Sequence, residues 1–432
     1  MLPMWLASKA SAEETLNYRL FMKCICLSYM LLCWAAATNR FTLPVALADS
    51  AAAPLAANIC EPDGVQTSGA IYRICLPPAG SWNGDLVVYA HGYVAASQPV
   101  AIPEDQLTLP NGTSISEVVN SLGFAFAVTS FRTNGLVVPQ GIDDLVDLVN
   151  TFDTTHPAPG HVYLVGISEG GLITTLAVEQ YPDVFDGGLA ACGPIGDFHK
   201  QINHFGHFRV VFDYFFPGLI PGSPIDIPQS LIDNWDSTYA TVIKPAILNP
   251  GNTGTVGQLV HVTGAAYDPN DPSTLESTIR DLLWYNVFAT NDAMAKLGGQ
   301  PFDNQSYIYT GSNDDIQLNL SIQRFSASPV ALAEIQAHYQ TNGHLTNPLV
   351  TLHTTLDPII PYEHETLYRG KVIINDNIAQ HDIISIARYG HCNFTTGEML
   401  GAFALLVDRV LNPPPYYPVS KQFLPLVSSQ AN

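Results

Sequence analysis

Short apolar runs of strand length alternate with amphipathic segments of helical period in the first part of the chain. The helical segment 140–152, for example, places Ile142, Leu145, Leu148 and Val149 on one stripe. Strands are predicted at 69–77, 85–90, 124–130, 161–165 and 187–191, and helices at 114–122, 140–152 and 170–180. This alternation predicts an α/β fold with a mostly parallel sheet that helices cover on both faces.

The alternation stops near residue 196 and resumes near residue 346. Strands are predicted again at 349–353 and 382–387, and helices at 362–368 and 397–410. The intervening segment is rich in aromatic residues, Pro, Asn and Asp and contains helical stretches, which predicts a large, mainly helical cap. Such an insertion would lie over the carboxyl ends of the strands, where sheets of this kind place their sites.

These patterns divide the chain into five predicted parts. They are a leader at 1–48, the first half of the core at 49–196, the cap insertion at 197–345, the second half of the core at 346–412 and a Pro-rich extended tail at 413–432. We therefore expect one large domain that carries an insertion.

The leader resembles a secretion signal. An uncharged apolar run from Cys24 to Ala37 is followed by Ala46-Leu47-Ala48, which offers a small-residue cleavage site. The segment before Met22 carries charged residues unlike a signal, so Met22 is the predicted true start. A transmembrane anchor is the alternative, but the uncharged stretch ends at Arg40 and is short for a bilayer span. We predict a secreted or periplasmic protein with no stable membrane insertion after cleavage.

The charge balance excludes two classes of partner. The 432 residues carry a formal net charge of −21, whereas nucleic acids and anionic membranes select basic surfaces. We therefore expect neither as a partner. A hydrophobic content of 47% is enough for a sizeable core, and the oligomeric state is left open.

Four cysteines remain outside the predicted signal: Cys60, Cys75, Cys192 and Cys392. An even number in a secreted chain indicates disulfides. Cys60 and Cys75 flank a short segment and are predicted to pair. Free buried thiols are the alternative, because cysteine is often a core residue.

The main chemical signal is a G-x-S-x-G motif at the end of a predicted strand. Gly166-Ile167-Ser168-Glu169-Gly170 follows the apolar run 161–165 and precedes a predicted helix. In this setting the motif forms a turn so tight that glycines must flank it, and the serine hydroxyl projects above the sheet. The motif alone arises easily by chance, so its interpretation depends on the partners of Ser168.

A serine hydroxyl needs a base within hydrogen-bond reach, and that base needs an orienting acid. Asp357 follows the predicted strand 349–353, and His391 follows the predicted strand 382–387. Both therefore fall at strand ends, in the chain order Ser, Asp, His. We predict a triad of Ser168, His391 and Asp357.

The developing oxyanion needs two aimed donors. The turn supplies one, the backbone N–H of Glu169. We assign the second to the N–H of Tyr93, which follows the predicted strand 85–90 and His91-Gly92.

Together these motifs resemble the α/β-hydrolase family over roughly residues 65 to 412. The matching pieces are His91-Gly92, the serine motif, Asp357-Pro358 with Pro361, and Gly390-His391. The resemblance implies an α/β-hydrolase fold with a cap, no cofactor, and a serine hydrolase that cleaves small-molecule or polymeric carboxylic esters. The lipase, esterase and proline-peptidase branches share these features. An amidase or exopeptidase of the proline-iminopeptidase type is therefore the alternative, and a non-catalytic binding protein on this fold is a third reading.

Cys392, directly after His391, resembles the tannase and feruloyl-esterase group, where a disulfide ties the base loop to the nucleophile region. There the partner cysteine immediately precedes the serine, a place that Ile167 takes here. Cys192 is the substitute that the chain offers. A bridge between Cys192 and Cys392 would fix the base loop.

Glu169, directly after the nucleophile, departs from the residues common in these branches. We expect its carboxylate to face the flank of the helix, because a second buried acid near the triad would be costly without a partner. The alternative is a carboxylate that raises the pKa of the histidine.

A histidine cluster is the remaining candidate for chemistry. His199, His204 and His207 do not share one helical face, and no carboxylate completes a ligand set. We read them as cap residues and predict no metal site.

Overall fold

The structure, a computed structural model, describes residues 59–109 and 112–413. The predicted leader and the predicted tail beyond residue 413 lie outside these ranges. Among the described residues, no helix is long and apolar enough to cross a membrane.

A nine-stranded sheet forms the centre of the fold. Its strands run in the spatial order β1-β3-β5-β4-β6-β7-β8-β9, and β2 pairs with β3. Neighbours from β5 to β9 are parallel, whereas β1, β2 and β3 are antiparallel additions. The bounds are β1 Ile59–Cys60, β2 Gly64–Val65, β3 Ile71–Leu76, β4 Leu86–Ala90, β5 Ala125–Thr129, β6 Val162–Ile167, β7 Gly187–Ala191, β8 Leu349–Leu356 and β9 His381–Tyr389.

Helices cover both faces of this sheet, as the alternation predicts. Residues of α2, α3 and α12 join one apolar cluster with the sheet, and residues of α1 and α13 join another. The central strands β4 to β7 are buried almost throughout, which explains their continuous apolar sequence. The bounds are α1 Ile115–Ser121, α2 Val138–Thr155, α3 Glu169–Gln180, α12 Glu363–Ile374 and α13 Thr396–Leu411.

The segment between β7 and β8 is helical and has an apolar cluster of its own. Phe208, Phe212 and Leu282 belong to that cluster, and Ile359 and Ile360 from the loop after β8 join it. These helices therefore pack directly on the loop that carries Asp357. The bounds are α4 Phe198–Phe215, α5 Gln229–Asp233, α6 Trp235–Thr238, α7 Lys244–Ile247, α8 Thr253–Thr263, α9 Ser273–Lys296, α10 Asp315–Ser321 and α11 Pro329–His338.

Local signals explain where some elements begin. Ser114 caps α1 and forms a capping box with Glu117, as the sequence predicts. Thr395 and Glu398 form the same box at the start of α13. The last helix of the core is thus fixed directly after the loop that carries His391.

Candidate active site

Ser168 occupies the turn between β6 and α3. Its φ of 59° lies in the left-handed region, which is strained for a residue with a side chain. A Cβ on Gly166 would meet Gly170 O at 2.1 Å, and a Cβ on Gly170 would meet Ala90 O at 2.1 Å. The flanking glycines are therefore required by space, and the turn has the shape of a nucleophile elbow.

Three strand ends bring Ser168, His391 and Asp357 together. Ser168 follows β6, Asp357 follows β8 and His391 comes two residues after β9. Ser168 Oγ lies 2.9 Å from His391 Nε2, and His391 Nδ1 lies 2.8 Å from Asp357 Oδ2. Gly390, with φ of 111°, makes the turn before the histidine. These contacts suit transfer of the serine proton to the imidazole.

Asp357 is buried yet surrounded by donors. Its Oδ1 accepts the backbone N–H groups of Ile359 and Ile360, at 2.8 and 3.0 Å. Burial alone would raise the pKa of this carboxyl, but the charge and hydrogen bond of His391 and those of His353 outweigh burial and hold that pKa below its usual value. Asp357 is therefore ionised and orients the ring of His391.

The loop after β4 lies against the nucleophile. A Cβ on Gly92 would be only 3.2 Å from Ser168 Cβ. Gln106 holds the loop on both sides of the Gly92–Tyr93 peptide, since it accepts the Gly92 N–H at 2.7 Å and donates to Tyr93 O at 3.3 Å. Within the described ranges, no residue accepts the backbone N–H of Tyr93 or of Glu169. Both of the predicted oxyanion donors are thus left unengaged.

Comparison with known proteins agrees with this architecture. Residues 138–268 match the family described as serine aminopeptidase, S33. That match includes the serine motif, and the strand order, the elbow and the acid and base at later strand ends complete the pattern. The chain has the α/β-hydrolase fold.

Several solved structures resemble this chain at low identity. An esterase from Aspergillus oryzae is 16% identical, with a TM-score of 0.44, over 80% of this chain and 77% of the other. An esterase from Pyrococcus furiosus is 11% identical, with a TM-score of 0.42, over 82% and 91%. An acylaminoacyl peptidase from Pyrococcus horikoshii is 10% identical, with a TM-score of 0.44, over 84% of this chain. The match spans only 42% of that peptidase's length. No curated protein matches the sequence.

Glu169 is buried, with 8% of its surface exposed. The expectation that its carboxylate faces an outer helix flank is therefore wrong. Its Oε1 accepts the Val137 N–H at 2.9 Å, at the start of α2, and its Oε2 has no partner among the described residues. Burial raises the pKa of this carboxyl to about 8, although the Val137 N–H and Lys296 act in the opposite direction.

An apolar cavity of about 120 Å³ opens beside Ser168, between the core and the helices that follow β7. Tyr93 and Glu169 from the core border it, and most of its wall comes from α4, α9 and the loop after β8. The apolar wall residues include Leu136, Phe198, Ile202, Phe205, Ala289, Met294, Phe302 and Ile359. The aromatic start of the inserted segment thus contributes to the wall of a pocket as well as to a packed core.

Two disulfides are present among the described residues. Cys60 pairs with Cys75, which joins β1 to β3. Cys192 pairs with Cys392, and this bridge connects the end of β7 to the residue directly after the base. Because Cys392 Sγ lies 3.4 Å from His391 Nε2, the bridge packs against the catalytic candidate itself.

The cap histidines have protein partners. His199 Nε2 contacts Pro301 O, His204 Nε2 contacts Pro358 O and His207 Nδ1 contacts the Tyr309 hydroxyl. These contacts hold α4 to its neighbours and to the acid loop.

A buried histidine behind Asp357 is a functional candidate that the sequence reasoning missed. Its Nε2 lies 3.4 Å from Asp357 Oδ2, and its Nδ1 lies 3.2 Å from Glu365 Oε1. The only sequence signal is the spacing of four residues between His353 and Asp357 at the end of one strand.

Proposed function

We propose that this chain is a secreted serine hydrolase that cleaves carboxylic esters through an acyl-enzyme on Ser168. The observation that carries the proposal is the hydrogen-bonded series from Ser168 Oγ through His391 to the ionised Asp357. A serine linked in this way to a base and an acid acquires the nucleophilicity that it lacks alone.

The geometry supports a two-step reaction. His391 accepts the proton of Ser168 as Oγ attacks the carbonyl carbon, and the N–H groups of Tyr93 and Glu169 hold the oxyanion. Collapse of the intermediate expels the alcohol, which takes the proton from His391, and leaves an ester on Ser168. His391 then deprotonates a water molecule that attacks this ester, and a second collapse releases the acid and restores Ser168.

The cavity favours an ester over a free aminoacyl substrate. An exopeptidase needs ionised carboxylates to hold the substrate ammonium, whereas Glu169 is the only acidic side chain among the described residues that line the cavity. With a pKa of about 8, that carboxyl is largely protonated at pH 7. The match to serine aminopeptidases keeps an amidase or exopeptidase as the second candidate.

Parallel assays separate the candidates. We expect hydrolysis of p-nitrophenyl acyl esters, little hydrolysis of aminoacyl-p-nitroanilides, and a loss on the order of 10⁴-fold or more in Ser168→Ala. Cleavage of the anilides alone would favour the peptidase. Retention of the rate in Ser168→Ala would exclude the mechanism, and hydrolysis of neither substrate by the folded protein would favour a binding protein.

Secretion is a separate part of the proposal, supported by the two disulfides, which persist in oxidising compartments. We expect the full chain, expressed with its leader in a secreting host, to accumulate outside the cytoplasm with a new N-terminus near Asp49. N-terminal sequencing of the exported protein checks this, and retention of an intact leader in the cytoplasm would contradict it.

A further inference from the structure

Three residues that line the cavity beside Ser168 each have a buried oxygen atom without a hydrogen-bond partner among the described residues. The atoms are Glu169 Oε2, Gln201 Oε1 and Gln300 Oε1. Gln201 is only 4% exposed. A buried polar atom without a hydrogen bond costs free energy, so three in one cavity indicate a ligand that supplies the missing partners.

The hydrogen bonds of the two side-chain nitrogens fix the orientation of the Gln201 and Gln300 amides. Gln201 Nε2 donates to Ile359 O at 2.8 Å, and Gln300 Nε2 donates to Ser326 O at 3.1 Å. Because a carbonyl can only accept, the nitrogen of each amide must face the main chain, and the oxygen is the atom left without a donor. Asn286, another polar wall residue, is occupied at both ends by Arg209 and Pro224. The two glutamines therefore present acceptors that call for a donor.

We propose that the part of the ester that enters this cavity is an apolar chain bearing a hydroxyl group. This proposal rests on the proposed function and adds a substrate class to it. A hydroxyl donates to a glutamine oxygen and also accepts from a protonated Glu169. An ammonium group suits the cavity less well, because a neutral Glu169 offers no charge to offset it.

Paired substrates test the proposal. We expect kcat/KM for p-nitrophenyl 3-hydroxyhexanoate or 6-hydroxyhexanoate to exceed that for the hexanoate by about tenfold. The 6-aminohexanoate tests the ammonium alternative, and hexyl against 6-hydroxyhexyl butanoate covers entry by the alcohol side. The ratio of kcat/KM for the hydroxylated ester to kcat/KM for the plain ester should fall towards one in Gln201→Met and in Gln300→Met.

Gln380→Met is the matched control, since Gln380 also has a buried oxygen without a partner but lies outside this cavity. Its hydroxyl preference should equal that of the unmodified protein. Equal or better hydrolysis of every plain ester, a preference that survives both cavity variants, or selection of the ammonium ester would overturn the inference. Hydrolysis of no ester at all would instead be a failure of the proposed function.

A second observation, behind the triad, carries an independent inference. His353 is fully buried, and its Nε2 contacts Ile360 O at 2.9 Å while its Nδ1 contacts Glu365 Oε1 at 3.2 Å. Glu365 Oε2 also accepts the Thr351 hydroxyl at 2.5 Å. Because a carbonyl and a carboxylate both accept, each ring nitrogen of His353 must carry a hydrogen.

The charges around His353 are consistent with an imidazolium. Burial alone would lower its pKa, but hydrogen bonds and charges from Asp357 and Glu365 raise that pKa to about 10. The neighbouring His364 adds no charge, since burial lowers its pKa to about 3 and its Nδ1 accepts the Gly196 N–H. On the far side of Glu365, burial lowers the pKa of His381 to about 4.

We propose that His353 is a permanent cation, held by Glu365, that keeps Asp357 ionised and sets the pH at which His391 becomes a base. His353 and Glu365 touch no reacting atom, so they are positioning residues. Their charges have opposite signs, and this difference gives a test that a packing role would not pass.

Removal of each charge should move the acidic limb of the kcat/KM–pH profile in opposite directions. His353→Gln removes a positive charge near His391 and should move the midpoint up by about one pH unit. Glu365→Gln removes a more distant negative charge and should move it down by less. The double variant removes both charges, and the midpoint of its profile should lie between those of the single variants. It also leaves no uncompensated buried charge that could cause misfolding.

A direct readout does not depend on activity. Nitrogen-15 NMR of the unmodified protein should show one histidine with both ring nitrogens protonated at pH 8.5, and that signal should vanish in His353→Gln. Midpoint shifts of the same sign in both single variants, or a neutral His353 at pH 8.5, would overturn the inference. If the unmodified protein hydrolyses no ester, the proposed function fails, but the NMR signal of His353 is still expected.

Discussion

Two buried carboxyl groups flank the candidate nucleophile, and their surroundings differ. Asp357 receives two backbone N–H groups and two histidines, and its pKa lies below the usual value despite burial. Glu169 receives one backbone N–H, leaves one oxygen without a partner, and has a pKa raised to about 8. The difference shows that neighbouring charges and hydrogen bonds, and not burial alone, decide which acid is charged.

The difference also assigns separate tasks to the two sides of the site. The charged acid lies behind the base, where it can stabilise the imidazolium that forms during the reaction. The largely neutral acid lies in the wall of an apolar cavity, where a permanent charge would lose its hydration, at a cost in free energy, when an apolar group enters. Substitutions that exchange or remove these properties test the assignment.

Asp357→Asn should have the largest effect, because an amide cannot stabilise the imidazolium and favours the wrong tautomer of His391. We expect kcat for p-nitrophenyl esters to fall by about 10⁴-fold, with the fold retained. Glu169→Gln is the matched control on the other side of the site, and its kcat should fall far less. A similar loss in both variants would contradict the separate tasks.

Glu169→Gln should instead change the free energy of unfolding. The folded-state pKa of Glu169 lies above its unfolded value, so the folded protein binds the extra proton between about pH 4.5 and 8 and loses stability as pH rises through that window. We expect the variant to be about 2–4 kcal/mol more stable than the parent at pH 8.5 and similar at pH 4. Urea unfolding at both pH values measures this, and a constant difference would contradict the assigned cause.

Loss of the disulfide beside His391 should have the next largest effect on kcat. Replacing Cys192 and Cys392 with alanine frees the loop that holds His391 against Asp357, and a small misplacement of a catalytic group can cost about 10²-fold. We expect kcat to fall by about tenfold to a hundredfold, with KM nearly unchanged. The Cys60→Ala/Cys75→Ala variant is the control, and an equal loss of kcat there would show a global effect.

Gln106→Met should have the smallest effect on rate. The glutamine binds the Gly92 N–H and the Tyr93 C=O, on either side of the peptide that carries the Tyr93 N–H, so its loss loosens one of the two predicted oxyanion donors without removing it. We expect kcat to fall by about threefold to tenfold. An unchanged kcat would indicate that the donor is positioned by other contacts.

The order of strands and the sites at their ends could be predicted from local signals. Buried runs such as 85–90 and 187–191 have a continuous apolar pattern, and Ser168 has glycines that the tight turn requires. The elbow could therefore be recognised before any distance was known.

The state of Glu169 could not be predicted, because it depends on contacts distant in the chain. Its one donor is the N–H of Val137, 32 positions away, and a main-chain group has no signature in the sequence. The same reason hides the unpartnered oxygen of Gln201, whose nitrogen is fixed by the carbonyl of Ile359. The surroundings of His353 could not be predicted for a related reason, since Glu365 contacts it only when α12 packs against β8.

The most direct test of the central claim is covalent labelling by an alkyl fluorophosphonate followed by peptide mass spectrometry. We expect one adduct per chain, on the peptide that contains Ser168. The adduct should form much more slowly in Asp357→Asn and at the rate of the unmodified protein in Glu169→Gln. An adduct on another residue, or undiminished labelling of Ser168→Ala, would contradict the assignment of Ser168 as the nucleophile.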